Sequence, residues 1–339
     1  MRLACLPAQR ERAAYAPVSV ADGRRMSAAR AYLHEAIDRP NVRLVLHCEV
    51  RRIIFDGATA TGVEAVVPEG VVSFSARREV IVCAGALESP LLLERSGVGD
   101  PRVLAAAGVP MVAGNRAIGG NLRQHRGIAF MTQFSEVPGG SAVLPFGTAT
   151  VAAVLKSDLS ASAPDTDLLF YPFVVPGHDG APARIGGAAV GFYPHSPTST
   201  GSIHITGPGL EHAPRLVPNY LSTDHDRKLL VAGFARFREI VAAEPFASIA
   251  SSADLPKSED EEGLVRHSLE HGAVINHPIG TCALGPSGAV DDQLRVRGTD
   301  RLRVADASVM PTLPSGNTAA PSMAVGWITG DLILDGVSR

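Results

Sequence analysis

Short stretches in which apolar and polar residues alternate dominate the first quarter of the chain. Apolar, mostly β-branched residues recur with a period of two, and turn pairs such as Asp56-Gly57 and Glu69-Gly70 separate the stretches. Alternation of this kind is typical of strands with one buried face, and such pairs close hairpins. The pattern therefore predicts an antiparallel meander. Its four predicted strands are residues 42–46, 50–55, 62–67 and 71–74.

Apolar runs that end in small residues predict strands that lead into helices. The mostly apolar run 79–83 enters Ala84-Gly85-Ala86, and Ser89-Pro90 is expected to open a short helix that Ser96-Gly97 stops. Further predicted elements are a helix over 28–37 capped by Ser27, an alternating segment at 202–205, a helix over 224–243, a strand over 301–305 and a helix from Pro321 to about Leu334.

The character of the sequence changes near residue 126 and again near residue 277. Between these points, Pro- and Gly-rich loops separate alternating segments and one helical stretch, which indicates a second, α+β domain. The expected domains are 1–125, 126–276, and a return to the first domain over 277–339.

Composition and charge narrow the possible partners. The chain has 339 residues, of which 45% are hydrophobic and 19% charged, as in a globular protein large enough for two domains. Its formal net charge is −3, so no basic surface points to nucleic acid or to an anionic membrane. The four cysteines form no CxxC pair, and the first twenty residues hold no apolar signal core. We therefore expect a reduced, cytoplasmic location.

Two long stretches, residues 137–155 and 307–330, carry no charged side chain. A membrane-spanning helix needs about 20 mostly apolar residues in one continuous helix. Pro and Gly residues interrupt both stretches repeatedly, so we expect no transmembrane segment. The length of the second stretch calls for a different explanation.

Two motifs hold the candidate chemistry, His277-Pro278-Ile279-Gly280-Thr281-Cys282 and Ser315-Gly316-Asn317-Thr318. An imidazole titrates near neutral pH and suits a general base, while an Asn amide can donate to an oxygen that is losing its proton. A lone histidine is most often structural, so only the residues around His277 favour a catalytic role for it. Cys282 follows His277 by five residues, but no third residue is evident that would orient the two for nucleophilic catalysis. A buried structural thiol is therefore the simpler interpretation of Cys282.

Several motifs resemble those of the glucose-methanol-choline (GMC) flavoprotein oxidoreductases, in the family order, from about residue 20 to the end. The chain is identified as a member of this family. The matching segments are 23–27 (GRRMS), 31–33 (AYL), 83–97 (CAGALESPLLLERSG), 119–125 (GGNLRQH), 277–282 (HPIGTC), 304–311 (VADASVMP) and 316–321 (GNTAAP).

The resemblance implies an enzyme that uses FAD to oxidise a small-molecule alcohol to an aldehyde or ketone, as a choline or alcohol dehydrogenase or an oxidase. It matches His277 to the active-site histidine, which accepts the hydroxyl proton while hydride passes to flavin N5. It matches Asn317 to the partner position, held by His or Asn, which binds the substrate oxygen. Either oxygen or a quinone or other carrier would accept the electrons.

The resemblance also implies which residues contact FAD. Small residues at a strand end let a flat ring lie against the backbone. The helix expected near Pro321 would point its positive end at the flavin ring. The implied adenine-side contacts are Val50, Cys83, Ala84 and Gly85, and the implied flavin-side contacts are Asp306, Ala307, Asn317 and Thr318.

One family feature is absent from the sequence. GMC proteins begin with a strand, a GxGxxG loop and a helix that binds the FAD pyrophosphate, and no GxGxxG occurs in this chain. The expected fold is therefore an α/β FAD-binding domain of the GMC type, incomplete at its N-terminus, plus an α+β substrate domain with an antiparallel sheet. We expect the isolated chain to bind FAD poorly.

Two other interpretations stay open from the sequence. The chain fits a truncated, non-catalytic GMC paralogue that binds no FAD. It also fits a lyase of the same family, in which FAD has only a structural role.

Overall fold

The computed structural model describes residues 10–16, 18–134, 151–158, 162–175, 185–244, 246–253, 255–272 and 275–337. Most of the first charge-free stretch, residues 137–150, lies outside the described residues. The strands are β1 (Arg12–Tyr15), β2 (Val20–Ala21), β3 (Arg24–Arg25), β4 (Glu49–Asp56), β5 (Thr59–Val67), β6 (Gly70–Ser75), β7 (Val80–Val82), β8 (Val98–Gly99), β9 (Ala113–Gly114), β10 (Ile128–Phe134), β11 (Val151–Leu155), β12 (Thr166–Val175), β13 (Ile185–Pro194), β14 (Ser202–His204), β15 (Arg215–Val217), β16 (Ala250–Ala253) and β17 (Leu302–Val304).

The helices are mostly short, and two of the helical turns are not α-helical. The α-helices are α1 (His34–Ala36), α2 (Gly85–Arg95), α3 (Pro101–Ala106), α4 (Asp224–Val241), α5 (Phe246–Ile249), α6 (Glu261–His271) and α7 (Ala319–Val337). A π-helical turn at Ala29–Leu33 precedes α1, and a 3-10 turn at Ala307–Val309 follows β17. No helix in the described ranges is both long enough and apolar enough to cross a membrane.

The chain forms two compact units, and each is made of separate stretches of sequence. Unit 1 holds the described residues within 1–18, 125–199 and 220–276, and unit 2 holds those within 19–124, 200–219 and 277–339. The short segment 200–219, which carries β14 and β15, thus belongs with the residues before 125 and after 276 rather than with its sequence neighbours.

Unit 1 is built on a six-stranded antiparallel sheet in the order β1-β11-β12-β13-β10-β16. Side chains alternate across a strand, so one face of this sheet carries the large apolar residues. That face packs against α4 and α6, and the ring of Phe130 stacks on Phe237 of α4 at 4.5 Å between centroids. The core residues are Ile128, Phe130, Leu168, Val190, Phe192, Leu230, Phe234, Phe237 and Leu264.

Unit 2 combines the predicted meander with a parallel pair of strands. The meander is β4-β5-β6, and β7 pairs in parallel with β17, with Val80 opposite Leu302 and Val82 opposite Val304. The helix α2 follows β7 directly and buries Leu91 and Leu93 almost completely. One core joins these elements, so the motif residues rest on a packed scaffold.

Most of the predicted elements of unit 2 are confirmed. Ser27 caps the helical segment as predicted, since its hydroxyl accepts the amide N–H of Arg30 at 3.3 Å. The prediction of a strand at 42–46 is wrong. A strand forms only with a partner, and no described strand pairs with these residues, whose Leu44 and Leu46 side chains are exposed.

Candidate active site

The His277 motif has a backbone that special residues shape at both ends. Asn276 lies in the left-handed region with φ +56°, and Gly280 follows with φ +90°. Asn is among the few side chains that tolerate this region, and a Cβ at Gly280 would collide with the backbone oxygen of Asn121. Between them, His277 is buried, with 6% of its surface exposed.

The His277 motif runs beside the turn that follows β17. The amide of Gly280 donates to the oxygen of Ala307 at 3.4 Å, and that of Cys282 donates to the oxygen of Ser308 at 2.9 Å. The Asn121 side chain adds a link, because its amide donates to the oxygen of Pro311 at 3.2 Å. Two stretches that the sequence analysis selected separately are therefore joined by backbone hydrogen bonds.

Thr281 ties the same motif to α2. Pro90 lies inside this helix and has no N–H, so it cannot donate to the carbonyl oxygen of Ala86 one turn earlier. The hydroxyl of Thr281, which is fully buried, donates to that oxygen at 2.6 Å. A tertiary hydrogen bond thus replaces the missing helical one.

Asp306 holds the first turn of α2 against the end of β17. One carboxylate oxygen accepts the amide of Gly85 at 2.9 Å and the hydroxyl of Ser89 at 2.5 Å. The other oxygen accepts the amide of Ser308 at 2.8 Å. A carboxylate at a helix N-terminus is stabilised by the free N–H groups and the helix dipole. Protein groups therefore engage both oxygens of Asp306.

Three of the four residues proposed for the adenine side border one cavity. Val50, Cys83 and Ala84 line a space of about 530 Å³ at the carboxyl end of β7. Gly85 does not line it, but a Cβ at Gly85 would meet open space. The surrounding protein atoms and the carboxylate of Asp306 raise the pKa of the Cys83 thiol to about 11. The thiol is therefore neutral at physiological pH, as suits a site for an uncharged ring.

Asn317 and Thr318 lie where the second charge-free stretch enters α7. The Asn317 side chain is exposed, whereas Thr318 is buried. The carbonyl oxygen of Thr318 accepts the amide and the hydroxyl of Ser322 at 3.0 and 2.7 Å, which fixes the first turn. The helix begins two residues before Pro321, which sits in its first turn, where no helical partner for its nitrogen is needed.

Sequence reasoning missed a buried carboxylate in α2. Glu94 is completely buried and accepts from Nδ1 of His204 at 2.7 Å and from the amide of Ile205 at 2.9 Å. An acidic residue that follows three leucines in a buried helix was the available signal, because a buried charge needs partners.

The Cys282 thiol is fully buried, and burial raises its pKa far above the ordinary range of a thiol.

Comparison with known proteins gives the family. The N-terminal profile of the GMC oxidoreductases matches residues 7–126, and the C-terminal profile of the same family matches residues 197–326.

Individual relatives agree over nearly the whole chain. An uncharacterised GMC-type oxidoreductase of Mycobacterium tuberculosis is 35% identical over 337 residues, covering 92% of this chain and 63% of the relative. An alcohol dehydrogenase [acceptor] of Pseudomonas putida is 31% identical, covering 96% of this chain and 64% of the relative. The crystal structure of pyridoxine 4-oxidase from Mesorbium loti superposes with a TM-score of 0.77 at 29% identity, covering 91% of this chain and 62% of that one.

The chain thus spans somewhat less than two thirds of the length of the curated relatives it matches. The described fold agrees with the expected class, since it has mixed helices and sheets with an antiparallel sheet in unit 1. Because two profiles of one family match most of its residues, the chain belongs to the GMC oxidoreductase family.

Proposed function

We propose that this chain carries the proton-transfer site of an FAD-dependent enzyme that oxidises an alcohol to an aldehyde or ketone. The observation that carries the proposal is the frame around His277. Backbone hydrogen bonds fix the His277 motif to the turn at Ala307–Val309, and Thr281 fixes it to α2. A general base works only when its position is fixed relative to the proton that it removes.

In this proposal His277 accepts the proton of the substrate hydroxyl. Its burial keeps most water away from the imidazole. Asn317 donates its side-chain N–H to the same oxygen as negative charge grows there. Charge on that oxygen weakens the adjacent C–H bond, so both residues favour departure of hydride.

The residues of unit 2 fit parts of FAD. The cavity beside Val50, Cys83 and Ala84, with open space before Gly85, suits a flat adenine ring. On the flavin side we assign direct contacts to Ala307, Asn317 and Thr318, while Asp306 holds the turn that presents them. When bound, FAD supplies the ring that accepts the hydride.

The start of α7 adds an electrostatic contribution. Its first N–H groups carry the positive end of the helix dipole, which stabilises negative charge on a group placed there. The relative named alcohol dehydrogenase supports an alcohol as substrate.

The test is alcohol oxidation by the purified chain at saturating FAD. The panel is benzyl alcohol, choline and ethanol, and the acceptors are oxygen, followed with an electrode, and a redox dye. His277→Ala is expected to lower turnover by at least a hundredfold. His271→Ala is the matched control, because His271 is an exposed histidine of α6.

Three outcomes contradict the proposal. One is the absence of turnover by the unaltered chain when absorption spectra show that it holds FAD. Another is unchanged turnover in the His277→Ala variant. Substrate cleavage without a change in redox state would instead favour a lyase.

A further inference from the structure

The parallel strands β7 and β17 have another cavity beside them, at the ends opposite to the residues proposed for FAD. Its volume is about 470 Å³, and its described lining residues all belong to unit 2. Arg78 and Glu79 come just before β7, and Arg301 comes just before β17. Cys83 and Ala84 follow the other end of β7, and no described residue lines both cavities. The cavity is therefore separate from the one proposed for adenine.

Positive charge dominates the lining of this cavity. Among the described residues, its charged groups are four arginines and one glutamate: Arg78, Arg295, Arg301, Arg303 and Glu79. We call it the arginine cavity. The chain as a whole has a formal net charge of −3, so this concentration of guanidinium groups is local. Guanidinium groups repel one another, and an anion bound among them lowers that repulsion.

Protein groups hold two of these arginines in place. Arg303 is buried, and its Nε donates to the carboxylate of Glu79 at 2.7 Å. Arg301 donates from Nη2 to the carbonyl oxygen of Ala76 at 3.0 Å and from Nε to that of Arg78. The carboxylate of Glu79 thus compensates the charge of Arg303, whereas neutral carbonyl groups orient Arg301 and leave its charge uncompensated.

The other two arginines are available to a ligand. Arg78 and Arg295 are exposed, and their guanidinium groups make no hydrogen bond or ion pair with any residue that the structure describes. They come from segments far apart in sequence, and only the fold brings them to one cavity. A ligand held by both would therefore link two segments of unit 2.

The chemistry of this lining favours phosphate. A guanidinium group donates two parallel hydrogen bonds to phosphate oxygens, and a tetrahedral phosphate has enough oxygens to accept from several arginines at once. A planar carboxylate has only two oxygens to offer. The volume lies within the range of small-molecule sites, so the cavity admits one small molecule rather than a polymer.

We propose that the arginine cavity binds a small anion that carries phosphate groups, with Arg78, Arg295 and Arg301 as its partners. Arg301 is already oriented by the backbone, so it forms the fixed part of the site. Arg78 and Arg295 close on the anion from the two sides of the cavity that the distant segments provide. The site does not depend on the proposed redox function, because it shares no described residue with it.

Arg78→Gln and Arg295→Gln are the informative variants. Each removes one guanidinium group that no described residue binds, so neither is expected to disturb the fold. Arg77→Gln is the matched control, because Arg77 is also exposed and adjoins Arg78 in sequence but does not line the cavity. Arg295→Lys keeps the charge and removes only the paired donors of the guanidinium group.

The test is calorimetric titration of the purified chain by sodium pyrophosphate, with the ionic strength held constant by sodium chloride. We expect Arg78→Gln and Arg295→Gln each to weaken pyrophosphate binding by at least about fivefold, and Arg77→Gln by less than about twofold. Arg295→Lys should fall between Arg295→Gln and the unaltered chain. Pyrophosphate should bind at least about tenfold more tightly than succinate, which carries two carboxylates. Adenosine, an uncharged probe of the adenine-side cavity, should not displace pyrophosphate.

Four results overturn the proposal. The first is the absence of pyrophosphate binding to the unaltered chain. The second is an equal loss of affinity in the Arg77, Arg78 and Arg295 variants, which would show attraction to general surface charge only. The third is succinate binding as tight as that of pyrophosphate. The fourth is displacement of pyrophosphate by adenosine, which would place the anion at the cavity beside Cys83.

Discussion

Thr281 donates its hydroxyl hydrogen to the carbonyl oxygen of Ala86 across 195 residues of sequence, at 2.6 Å. The acceptor is free only because Pro90 interrupts the hydrogen bonding of α2. The helix therefore completes its own hydrogen bonds by holding the His277 motif. A substitution that destabilises α2 is therefore expected to destabilise the His277 motif as well, and the reverse.

Thr281→Val tests this dependence directly. Valine keeps the shape of threonine but leaves the buried oxygen of Ala86 without a donor, which costs about 1–3 kcal/mol. We expect the free energy of unfolding in urea to fall by that amount. Thr329→Val is the control, because the Thr329 hydroxyl donates to Val325, whose oxygen keeps its helical partner. Equal losses in the two variants would refute the dependence.

Gly280→Ala is expected to disturb the His277 motif through two separate effects. The residue has φ +90°, and its new Cβ would collide with the backbone of Asn121. Gly108→Ala isolates the first effect, since Gly108 has φ +69° and open space around it. The Gly108 variant should lose about 1–2 kcal/mol of stability and the Gly280 variant clearly more, as measured by urea unfolding. A smaller loss of stability in the Gly280 variant than in the Gly108 variant would contradict the close approach of residue 280 to the backbone of Asn121.

Acid is expected to weaken unit 1 through Asp226. Burial acts to raise the pKa of this carboxyl, but hydrogen bonds from Ser199 and Thr198 outweigh burial and lower the pKa. The carboxylate therefore stabilises the fold above about pH 4 and loses this effect as pH falls through its folded pKa. Asp226→Asn should lower the unfolding free energy at pH 7 by roughly 1–3 kcal/mol and approach the unaltered chain at pH 3.

The control for this prediction is Asp224→Asn. Asp224 lies in the same first turn of α4 but is exposed. Its replacement should change the unfolding free energy at pH 7 by less than that of Asp226. The difference in unfolding free energy between the Asp226 variant and the unaltered chain should shrink from pH 7 to pH 3. If it stays constant, the ionised carboxylate does not stabilise the fold as proposed.

Cys83 should react slowly with iodoacetamide despite its position at the surface of a cavity. With a pKa of about 11, it holds far less thiolate at pH 8.5 than a free thiol does. We expect alkylation to be at least about tenfold slower than that of free cysteine and to accelerate steadily above pH 9. Mass spectrometry of the tryptic peptides measures Cys83 and Cys48 separately. Fast alkylation at pH 7 would contradict the assigned environment, and protection by AMP would support the adenine site.

The sequence predicted the meander well because its evidence is local. The strands β4, β5 and β6 are rich in β-branched residues, and the turn pairs Asp56-Gly57 and Glu69-Gly70 connect them, so their order and antiparallel pairing need little distant information. The start of α2 was misplaced for the opposite reason. Proline normally marks the first turn of a helix, but Pro90 lies in the second turn here because Thr281, distant in sequence, supplies the missing bond.

The candidate site was likewise predicted only in part. Motif similarity selected His277, Cys83, Ala84 and Asp306; hydrogen bonds hold Asp306 and the His277 motif in place, and Cys83 and Ala84 line a cavity. A cavity of about 320 Å³ on the sheet of unit 1, lined in part by Ala129, Leu169 and Gly191, could not be predicted from the sequence, because it arises from the register of three strands. Only pairing brings Ala129 and Leu169 to either side of Gly191.

The parallel pairing of β7 with β17 also has a consequence for the order in which the protein is made. The ribosome releases Val80–Val82 long before Leu302–Val304, and all the described strands of the unit 1 sheet emerge before β17. The pairing of β7 in unit 2 therefore cannot form until Leu302–Val304 has been synthesised, and until then Ile81 and its neighbours lack their partner strand. A nascent chain that stalls before residue 302 would display a finished unit 1 beside an unfinished, apolar remainder, which is the form that chaperones and proteases recognise.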